Sequence, residues 1–317
     1  MTHVETGSRL HFGLFRLPPA GPWPANERYF GGCGLMLREP AVRVAVAPAA
    51  DWSADGPSAG RALEFARRLA AAHPGRVPPH RVAVEACPPE HAGLGAGTQL
   101  ALAVGRALER SAGLPESDAA DLARRVGRGG RSALGVHGFG RGGLLVEGGK
   151  RRPDDLAPLL VRAEFPADWR VVLFRPESAG DWHGPRERAA FDALAGGAEA
   201  AVTDRLARLA LLGLLPALAE RDADAFGEAL FEFNALAGEL FRPVQGGTYA
   251  SPAVAEVVDW ARRQGARGVG QSSWGPTVFA VAADAERAAD WAARFAARAE
   301  GPGYVTVSEA VAMQNAK

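Results

Sequence analysis

The chain has 317 residues, 36 basic against 36 acidic side chains and a mean hydropathy of −0.08. These values describe a globular protein and exclude disorder as its main state. Zero formal net charge argues against a general nucleic-acid-binding protein, which needs an excess of Lys and Arg to neutralise phosphates. An anion-binding site must therefore be local, and at roughly 150 residues per domain the length predicts about two domains.

The sequence also predicts the cellular compartment of the protein. Cys33 and Cys87 show neither the even spacing of a disulfide framework nor paired zinc ligands, which favours a reducing compartment. The first residues lack the basic segment and apolar core of a signal peptide. The longest apolar run, 210–219, is interrupted by Pro216 and is too short to span a bilayer. We expect a cytoplasmic protein with no membrane partner.

The first half of the chain alternates predicted strands and helices. Alternating apolar residues indicate strands, and apolar residues at helical spacing indicate helices. Strands are predicted at 4–12, 41–47, 80–87 and 142–149, helices at 60–73, 98–110 and 118–126, and a loop rich in Pro and Gly at 18–34. The segment KRRPDD at 150–155 predicts the exit from a first domain, which we place at residues 1–165.

The second half predicts a domain over residues 166–317. It begins with a strand, continues through helices rich in Ala, Leu and Arg, and closes with strand, helix and strand. The predicted strands are 169–174, 276–283 and 303–310, and the predicted helices are 185–195, 199–214, 222–240, 253–264 and 284–298. This order indicates an α+β sandwich.

The sharpest motif is the glycine-rich segment 88–104, in which a strand leads through a loop into a helix. Glycines allow the backbone to approach a ligand, and the start of a helix favours an anion by about 0.3–1 kcal/mol. The loop matches neither GxxxxGK[ST] nor GxGxxG. A plain turn with Thr98 as helix cap is the alternative to a phosphate site. The expected anion contacts are Gly93, Gly95, Ala96, Gly97, Thr98 and Gln99.

A second glycine-rich stretch, residues 124–143, concentrates arginine side chains. Guanidinium groups bind phosphate in a bidentate manner, so Arg128 and Arg131 are candidates for the same anion. His137 lies among glycines in GVHGFG. We assign it a catalytic role, with an ordinary structural histidine as the alternative.

Three further segments carry candidate residues. The polar turn at 271–274 contains Gln271, Ser272, Ser273 and Trp274, which suit an aromatic or sugar ligand; a simple hairpin turn is the alternative. The loop at 175–187 presents Asp181 and His183, and long polar loops are often functional. On the first strand, Arg9 and His11 either face water or face the ligand. The chain contains no GxSxG and no HExxH, which argues against a serine hydrolase and against a zinc protease.

The segments at 88–99, 127–143 and 268–277 resemble, in order and spacing, the three signatures of the GHMP kinase superfamily. This resemblance covers almost the whole chain. It implies an α+β fold of two domains: an N-terminal mixed α/β domain with a left-handed βαβ unit and a C-terminal ferredoxin-like α/β sandwich. A ligand cleft is expected between them.

The chain departs from the kinases of that superfamily at two positions. Kinases usually read PxxxGLGSSA, whereas this chain reads PEHAGLGAGT, and many carry an acidic GxD turn where this chain has Gly135-Val136-His137. ATP-dependent phosphoryl transfer therefore lacks two of its usual groups. The combination SRLHFGL, GLGAGTQ, GRSALGVHGFGRGG and GQSSWGPT resembles instead the branch of β-ribofuranosylaminobenzene 5′-phosphate synthases, which are not kinases.

That resemblance implies condensation of 4-aminobenzoate with 5-phosphoribosyl 1-diphosphate, releasing carbon dioxide and diphosphate, in the first step towards methanopterin. We expect Mg²⁺ to accompany the diphosphate, no organic cofactor, and a homodimer; no metal ligands are assigned. His137, Ser272 and Ser273 are the expected catalytic residues. The expected substrate contacts are Arg9, His11, Gly93, Gly95, Ala96, Gly97, Thr98, Gln99, Arg128, Arg131, Asp181, His183, Gln271 and Trp274. The alternatives are an ATP-dependent small-molecule kinase of the GHMP type and an inactive superfamily member that senses a ligand.

Overall fold

Two β-sheets organise the chain, for which the computed structural model describes residues 1–19, 21–176, 194, 200–298 and 304–313. The strands are β1 (Thr2–Arg16), β2 (Phe30–Pro48), β3 (Ser53–Asp55), β4 (His80–Ala86), β5 (Leu144–Glu147), β6 (Leu159–Ala163), β7 (Arg170–Arg175), β8 (Gly268–Gln271), β9 (Val278–Ala282) and β10 (Tyr304–Ser308). The helices are α1 (Ala59–Ala72), α2 (Ala96–Ser111), α3 (Ala119–Arg125), α4 (Leu134–Gly138), α5 (Ala200–Leu209), α6 (Leu215–Ala219), α7 (Ala223–Glu239), α8 (Arg242–Gln245), α9 (Pro252–Arg263) and α10 (Ala285–Arg298). A π-helical turn, Ala210–Leu214, joins α5 to α6. The predicted helix over 185–195 falls, apart from residue 194, outside the described residues.

The long strand β2 is the centre of the first sheet. It pairs along its length with β1, and its other neighbours are β4 at one end and β5 at the other. The strand order is β3-β4-β2-β5-β6. Strands β3 and β4 are parallel and are connected through α1, which gives a βαβ unit. Helices α1 and α2 bury Leu69 and Leu100 in one core with Val44 of β2.

The strand β2 begins at Phe30, although the sequence predicted a loop as far as residue 34. The glycines that suggested a loop are positions where β1 and β2 approach closely. A Cβ atom on Gly32 would lie 2.2 Å from the carbonyl oxygen of Gly13, and one on Gly34 would lie 2.5 Å from that of Leu10. Glycine is therefore required here by backbone contact and not by a turn.

The second sheet has the order β10-β7-β9-β8, and every neighbouring pair is antiparallel. Numbered within this half of the chain, the order is 4-1-3-2 with helices after the first and third strands, which is the ferredoxin-like arrangement. Phe174 of β7 stacks on Phe295 of α10 with ring centroids 5.2 Å apart. The predicted α+β fold with a ferredoxin-like second half is confirmed.

The two sheets are joined by more than one connection. The first sheet ends at Ala163 and the second begins at Arg170, on either side of the predicted boundary at 165/166. After β10 the chain returns to the first sheet, where Val311 N donates to Met36 O at 2.8 Å. The aromatic rings of Phe12 and Phe279 also meet across the two halves, with centroids 5.5 Å apart. In the described part of the chain, no helix is long and apolar enough to cross a membrane.

One buried amide fixes the junction between the halves. The side chain of Asn234, on α7, donates to Phe12 O at 2.6 Å and to Gln271 O at 2.8 Å, and it accepts from Gln271 N at 2.8 Å. A buried polar group is tolerated only when such bonds are made. Asn234 therefore holds β1 and β8 in register with α7.

Replacing Asn234 by Leu tests this role. The change leaves Phe12 O and Gln271 N buried without their partner, so we expect the free energy of unfolding to fall by about 2–4 kcal/mol. Chemical denaturation measures the loss. The matched control is Glu232→Gln, an exposed position on the same helix, for which we expect about 0–1 kcal/mol. Equal losses for the two variants would contradict the assignment.

Candidate functional site

A cleft of about 850 Å³ is lined by residues from both halves of the chain. The first half contributes β1, the glycine loop at 93–98 and the segment Gly127–Ser132. The second half contributes α7 and the turn at 271–275. The volume is in the range of small-molecule sites.

The glycine loop has the shape that the sequence predicted. Gly93 and Gly95 adopt left-handed conformations with φ of 83° and 69°, and Gly95 caps the N-terminus of α2. A Cβ atom on Gly93 would lie 2.1 Å from Ser272 O, so the loop packs tightly against the turn of the second half. The start of α2 thus faces the cleft with no acidic side chain in its first turn.

Arginine side chains surround this loop. A Cβ atom on Gly95 would lie 3.2 Å from Arg9 Nε, and one on Gly97 would lie 2.5 Å from Arg61 Nη2. Arg128 Nη2 donates to Thr98 Oγ1 at 3.1 Å. With Arg131, four arginines line the cleft, and none of the described lining residues is Asp or Glu. This wall favours a ligand with several negative charges.

His11 lines the same cleft as a neutral imidazole. Burial lowers its pKa well below the usual range, and Arg9 and Arg131 lower the pKa further. Its backbone is fixed on both sides, because His11 N donates to Ser272 Oγ at 3.1 Å and Ser273 N donates to His11 O at 3.1 Å. Nδ1 of the ring has no hydrogen-bond partner among the described residues. The side chain therefore contributes a neutral polar group to the cleft lining.

The two serines of the turn have different environments. The hydroxyl of Ser272 donates to Gly93 O at 2.8 Å and is fully buried, and Ser272 is not among the described lining residues. Ser273 is exposed, lines the cleft and adopts a left-handed conformation with φ of 57°. The structure therefore places Ser273 at the cleft and the hydroxyl of Ser272 behind it.

The other two residues of the turn, Gln271 and Trp274, also line the cleft. Gln271 Nε2 donates to Ser273 O at 2.7 Å, and its Oε1 accepts from Ala250 N at 2.8 Å. Trp274 packs edge-to-face on Phe241 with centroids 4.6 Å apart. The aromatic residues of the described lining are Phe12, Trp23, Phe30, Phe241, Tyr249 and Trp274. Offset and edge-to-face contacts with such rings stabilise a bound aromatic ring.

Besides Ser272, two further predicted site residues are not among the described lining residues. Gln99 is buried, donates to Gly135 O at 2.7 Å and accepts from the Thr6 hydroxyl at 2.8 Å. His137 Nε2 lies 2.7 Å from Ala157 O, and burial lowers its pKa. Both side chains join elements of the first half behind the site. The predicted contacts Asp181 and His183 lie outside the described residues.

The sequence analysis missed residues that form or support the site. Arg61 lies on α1, far along the chain from the loop that it borders. Lys150, interpreted only as part of the exit from the first domain, is 1% exposed. Asn234 had a signal, since it is a lone polar residue in the otherwise apolar run FNALAG.

The described residues do not offer a protein-held metal site. No group of three or more His, Cys, Asp or Glu is placed to hold an ion in the described part of the chain, and the described cleft lining supplies no carboxylate. Mg²⁺ prefers carboxylates together with substrate phosphates and water. These residues therefore do not fit a Mg²⁺ ion held by the protein, and the expected Mg²⁺ stays a prediction.

Comparison with known proteins identifies the family. The models for the N-terminal and C-terminal domains of GHMP kinases match residues 60–142 and 214–300. The β-ribofuranosylphenol 5′-phosphate synthase of Methanothermobacter thermautotrophicus is 31% identical over 88% of this chain and 88% of its own length. The protein of that name from Archaeoglobus fulgidus is 33% identical over 89% and 88% of the two chains.

A solved structure shows the same fold at lower identity. The 4-(cytidine 5′-diphospho)-2C-methyl-D-erythritol kinase is 22% identical and superposes with a TM-score of 0.62 over 97% of this chain and 99% of that one. The cleft, together with the relatives of this chain, indicates an enzyme that acts on small molecules. This chain belongs to the GHMP kinase superfamily and, within it, to the family of the β-ribofuranosylphenol 5′-phosphate synthases.

Proposed function

We propose that the enzyme transfers the 5-phosphoribosyl group of 5-phosphoribosyl 1-diphosphate to a para-substituted benzoate, with release of carbon dioxide and diphosphate, on the route to methanopterin. One observation carries the proposal: a single cleft is lined by four arginines, by a glycine loop and by aromatic residues. The arginines and the glycine loop suit a phosphorylated donor, and the aromatic residues suit an aromatic acceptor.

The donor's diphosphate is assigned to the glycine loop, next to Arg61 and Arg128. As the bond between the ribose C1 and the diphosphate oxygen breaks, the electron pair leaves with the diphosphate and negative charge grows there. Guanidinium groups and the start of α2 stabilise that charge without rearranging. Holding both reactants in one cleft supplies a further part of the rate.

The acceptor's reacting atom is the ring carbon that carries the carboxylate. A lone pair on the para substituent makes this carbon electron-rich, and it forms the new bond to C1. The bond to the carboxylate then breaks, carbon dioxide leaves, and its electron pair restores aromaticity. No proton is removed from the attacked carbon, so this step needs no base there.

Ser273 is the proposed contact for the acceptor's carboxylate. A hydroxyl is a weaker partner than an arginine, and a tight ion pair would stabilise the charge that decarboxylation must discharge. Ser272, expected to share this role, has its hydroxyl on Gly93 O and is assigned to holding the turn. The neutral ring of His11 is assigned to hydroxyl groups of the substrates.

The para substituent separates two candidate acceptors. The sequence motifs led us to 4-aminobenzoate, whereas the names of the two relatives contain a phenol, which corresponds to 4-hydroxybenzoate. The two acids differ at one group and would undergo the same bond changes. The accompanying Mg²⁺, the homodimer and the cytoplasmic location remain predictions from the sequence.

Release of labelled carbon dioxide tests the function. We expect protein incubated with 5-phosphoribosyl 1-diphosphate and either 4-hydroxybenzoate or 4-aminobenzoate, labelled in the carboxyl group, to release label only when donor and acceptor are both present. ATP should yield no ADP. Formation of ADP without carbon dioxide would support the kinase alternative, and binding without turnover in both assays would support the sensor.

Replacing Arg61 by Ala tests the donor site. Loss of a charge-assisted contact costs about 1.5–3 kcal/mol, so we expect the KM for 5-phosphoribosyl 1-diphosphate to rise about 10- to 100-fold while the KM for the acceptor changes little. Steady-state kinetics measure both. Arg67→Ala, at an exposed position on the same helix, is the control and should behave as wild type. A donor KM unaffected by Arg61→Ala would remove this residue from the site.

Replacing Ser273 by Ala tests the acceptor contact. We expect the acceptor KM to rise about 10-fold, the lower end of the effect of one hydrogen bond to a charged carboxylate, with the donor KM unchanged. Ser272→Ala is the comparison, because its hydroxyl bonds to Gly93 O and its loss should lower the melting temperature and raise the KM of both substrates. Identical kinetics for wild type and Ser273→Ala would refute the contact.

A further inference from the structure

The segment Gly127–Ser132, here the arginine loop, has little stiffness of its own. All of its residues line the cleft, and they include Arg128 and Arg131. Gly127 and Gly129 adopt left-handed conformations with φ of 71° and 87°. Because glycine restrains the backbone least, other contacts must fix where the two guanidinium groups point.

Lys150 supplies one of those contacts from behind the loop. Its ammonium donates to Gly130 O at 2.5 Å and to Pro153 O at 2.7 Å, and its side chain is almost fully buried. Its backbone is held in turn, since Lys150 N donates to Tyr29 O at 2.8 Å and Tyr29 N donates to Lys150 O at 2.9 Å. The lysine therefore ties the middle of the loop to the start of β2.

Glu147 holds the end of the loop. The side chain is fully buried at the end of β5, and its Oε2 accepts from Ala133 N at 2.6 Å. The Ser132 hydroxyl also hydrogen-bonds to this carboxyl group. Neither Glu147 nor Lys150 is among the described lining residues, so both reach the cleft only through the loop.

Burying two ionisable side chains is costly and uncommon unless their partners are specific. Here Lys150 donates to the backbone at Gly130, next to Arg131, and Glu147 accepts from the backbone at Ala133, two residues after Arg131. A neutral side chain could hold a loop as well, but a carboxylate behind an anion site also responds to the charge of the ligand. Lys150 and Glu147 thus position the arginine loop, and the carboxylate of Glu147 is also coupled electrostatically to the charge of a bound ligand.

We propose that Lys150 and Glu147 are positioning residues that hold the arginine loop in its phosphate-binding shape, and that binding of the phosphorylated donor is linked to protonation of the Glu147 carboxylate. The inference rests on the proposed function in taking that donor to be 5-phosphoribosyl 1-diphosphate. It adds to the proposed donor site two residues that do not touch the substrate.

The charges around Glu147 set the direction of the link. Burial raises the pKa of Glu147 to about 7, against the lowering effects of the Ser132 and Ala133 hydrogen bonds and of Arg9 and Lys150. Cys33 on β2 is the neighbouring thiol, and on β6 the residue paired with Glu147 in the sheet register is the apolar Leu159. A phosphorylated ligand beside Arg9 adds negative charge and raises the pKa of Glu147 further.

It follows that the bound state carries more protons than the free state. Donor affinity should therefore be highest below pH 7 and fall as the pH rises through the pKa of Glu147. The donor's own phosphates ionise in the same range, but their contribution is common to every variant. Comparison of variants isolates the contribution of Glu147.

The test is calorimetric titration of wild type, Lys150→Met and Glu147→Gln with 5-phosphoribosyl 1-diphosphate, in two buffers of different ionisation enthalpy. We expect Lys150→Met to weaken donor binding about 10-fold or more, with the acceptor KM changed less than about threefold. Glu147→Gln keeps an oxygen for Ala133 N and should take up fewer protons than wild type near pH 7. A donor affinity within twofold of wild type for folded Lys150→Met, or unchanged proton uptake in Glu147→Gln, would overturn the proposal.

Glu109→Gln is the matched control. Glu109 is also fully buried, on α2, and it accepts from Ser117 N at 3.3 Å, away from the described cleft lining. This variant should lose stability while keeping the donor affinity and proton uptake of wild type. Should Lys150→Met not fold, the proton uptake and the pH profile of Glu147→Gln decide the outcome.

Titration with inorganic diphosphate separates this inference from the proposed function. If wild type binds diphosphate but does not turn over donor and acceptor, the function is refuted, and the same variants titrated with diphosphate still decide the role of the loop. Wild type that binds neither diphosphate nor the donor would overturn both.

Discussion

The hydroxyl of Ser272 joins the three segments on which the cleft depends. It donates to Gly93 O in the glycine loop and accepts from His11 N on the first strand, while Ser272 itself belongs to the turn of the second sheet. These residues are far apart in sequence, so one buried group sets the distance between the glycine loop and the turn at 271–274. The amide of Asn234, which lines the cleft, makes a second link between Phe12 and Gln271. The cleft is therefore part of the packed interior and is formed when the two halves meet.

The side chains that line the cleft explain how a kinase fold can support a different reaction. Superfamily kinases transfer a phosphoryl group with the help of an acidic residue and a metal-binding hydroxyl. In this chain the glycine loop and the start of α2 remain, but arginines lie beside them and aromatic residues line the same cleft. The glycine loop is thus kept, while the groups used for phosphoryl transfer are replaced by arginine and aromatic side chains. This combination suits a reaction in which diphosphate leaves and an aromatic ring is the acceptor.

The sequence was informative wherever a property is local. The glycine loop, the start of α2 and the strand order of the second half follow from glycine spacing, apolar periodicity and a family resemblance, and the structure agrees. The direction of a side chain is not local, which is why the outcomes for Gln99 and His137 differ from expectation. Both lie in the correct segments, but tertiary packing turns them towards Gly135 and Ala157. For the same reason Arg61 was missed, because only folding brings α1 beside Gly97.

The return of the chain after β10 has a consequence for synthesis on the ribosome. Glu309 O accepts from Arg38 N at 2.8 Å, and Val311 O accepts from Gly143 N at 3.0 Å, so residues near the end of the described chain complete hydrogen bonds of the first sheet. A nascent chain can bury the core between α1, α2 and β2 early. It cannot close the edge beside Met36 until residue 311 has emerged from the exit tunnel. The first half of the chain is therefore synthesised first but completes its hydrogen bonds last. Its unpaired backbone groups beside Met36 stay exposed while the whole second sheet is translated.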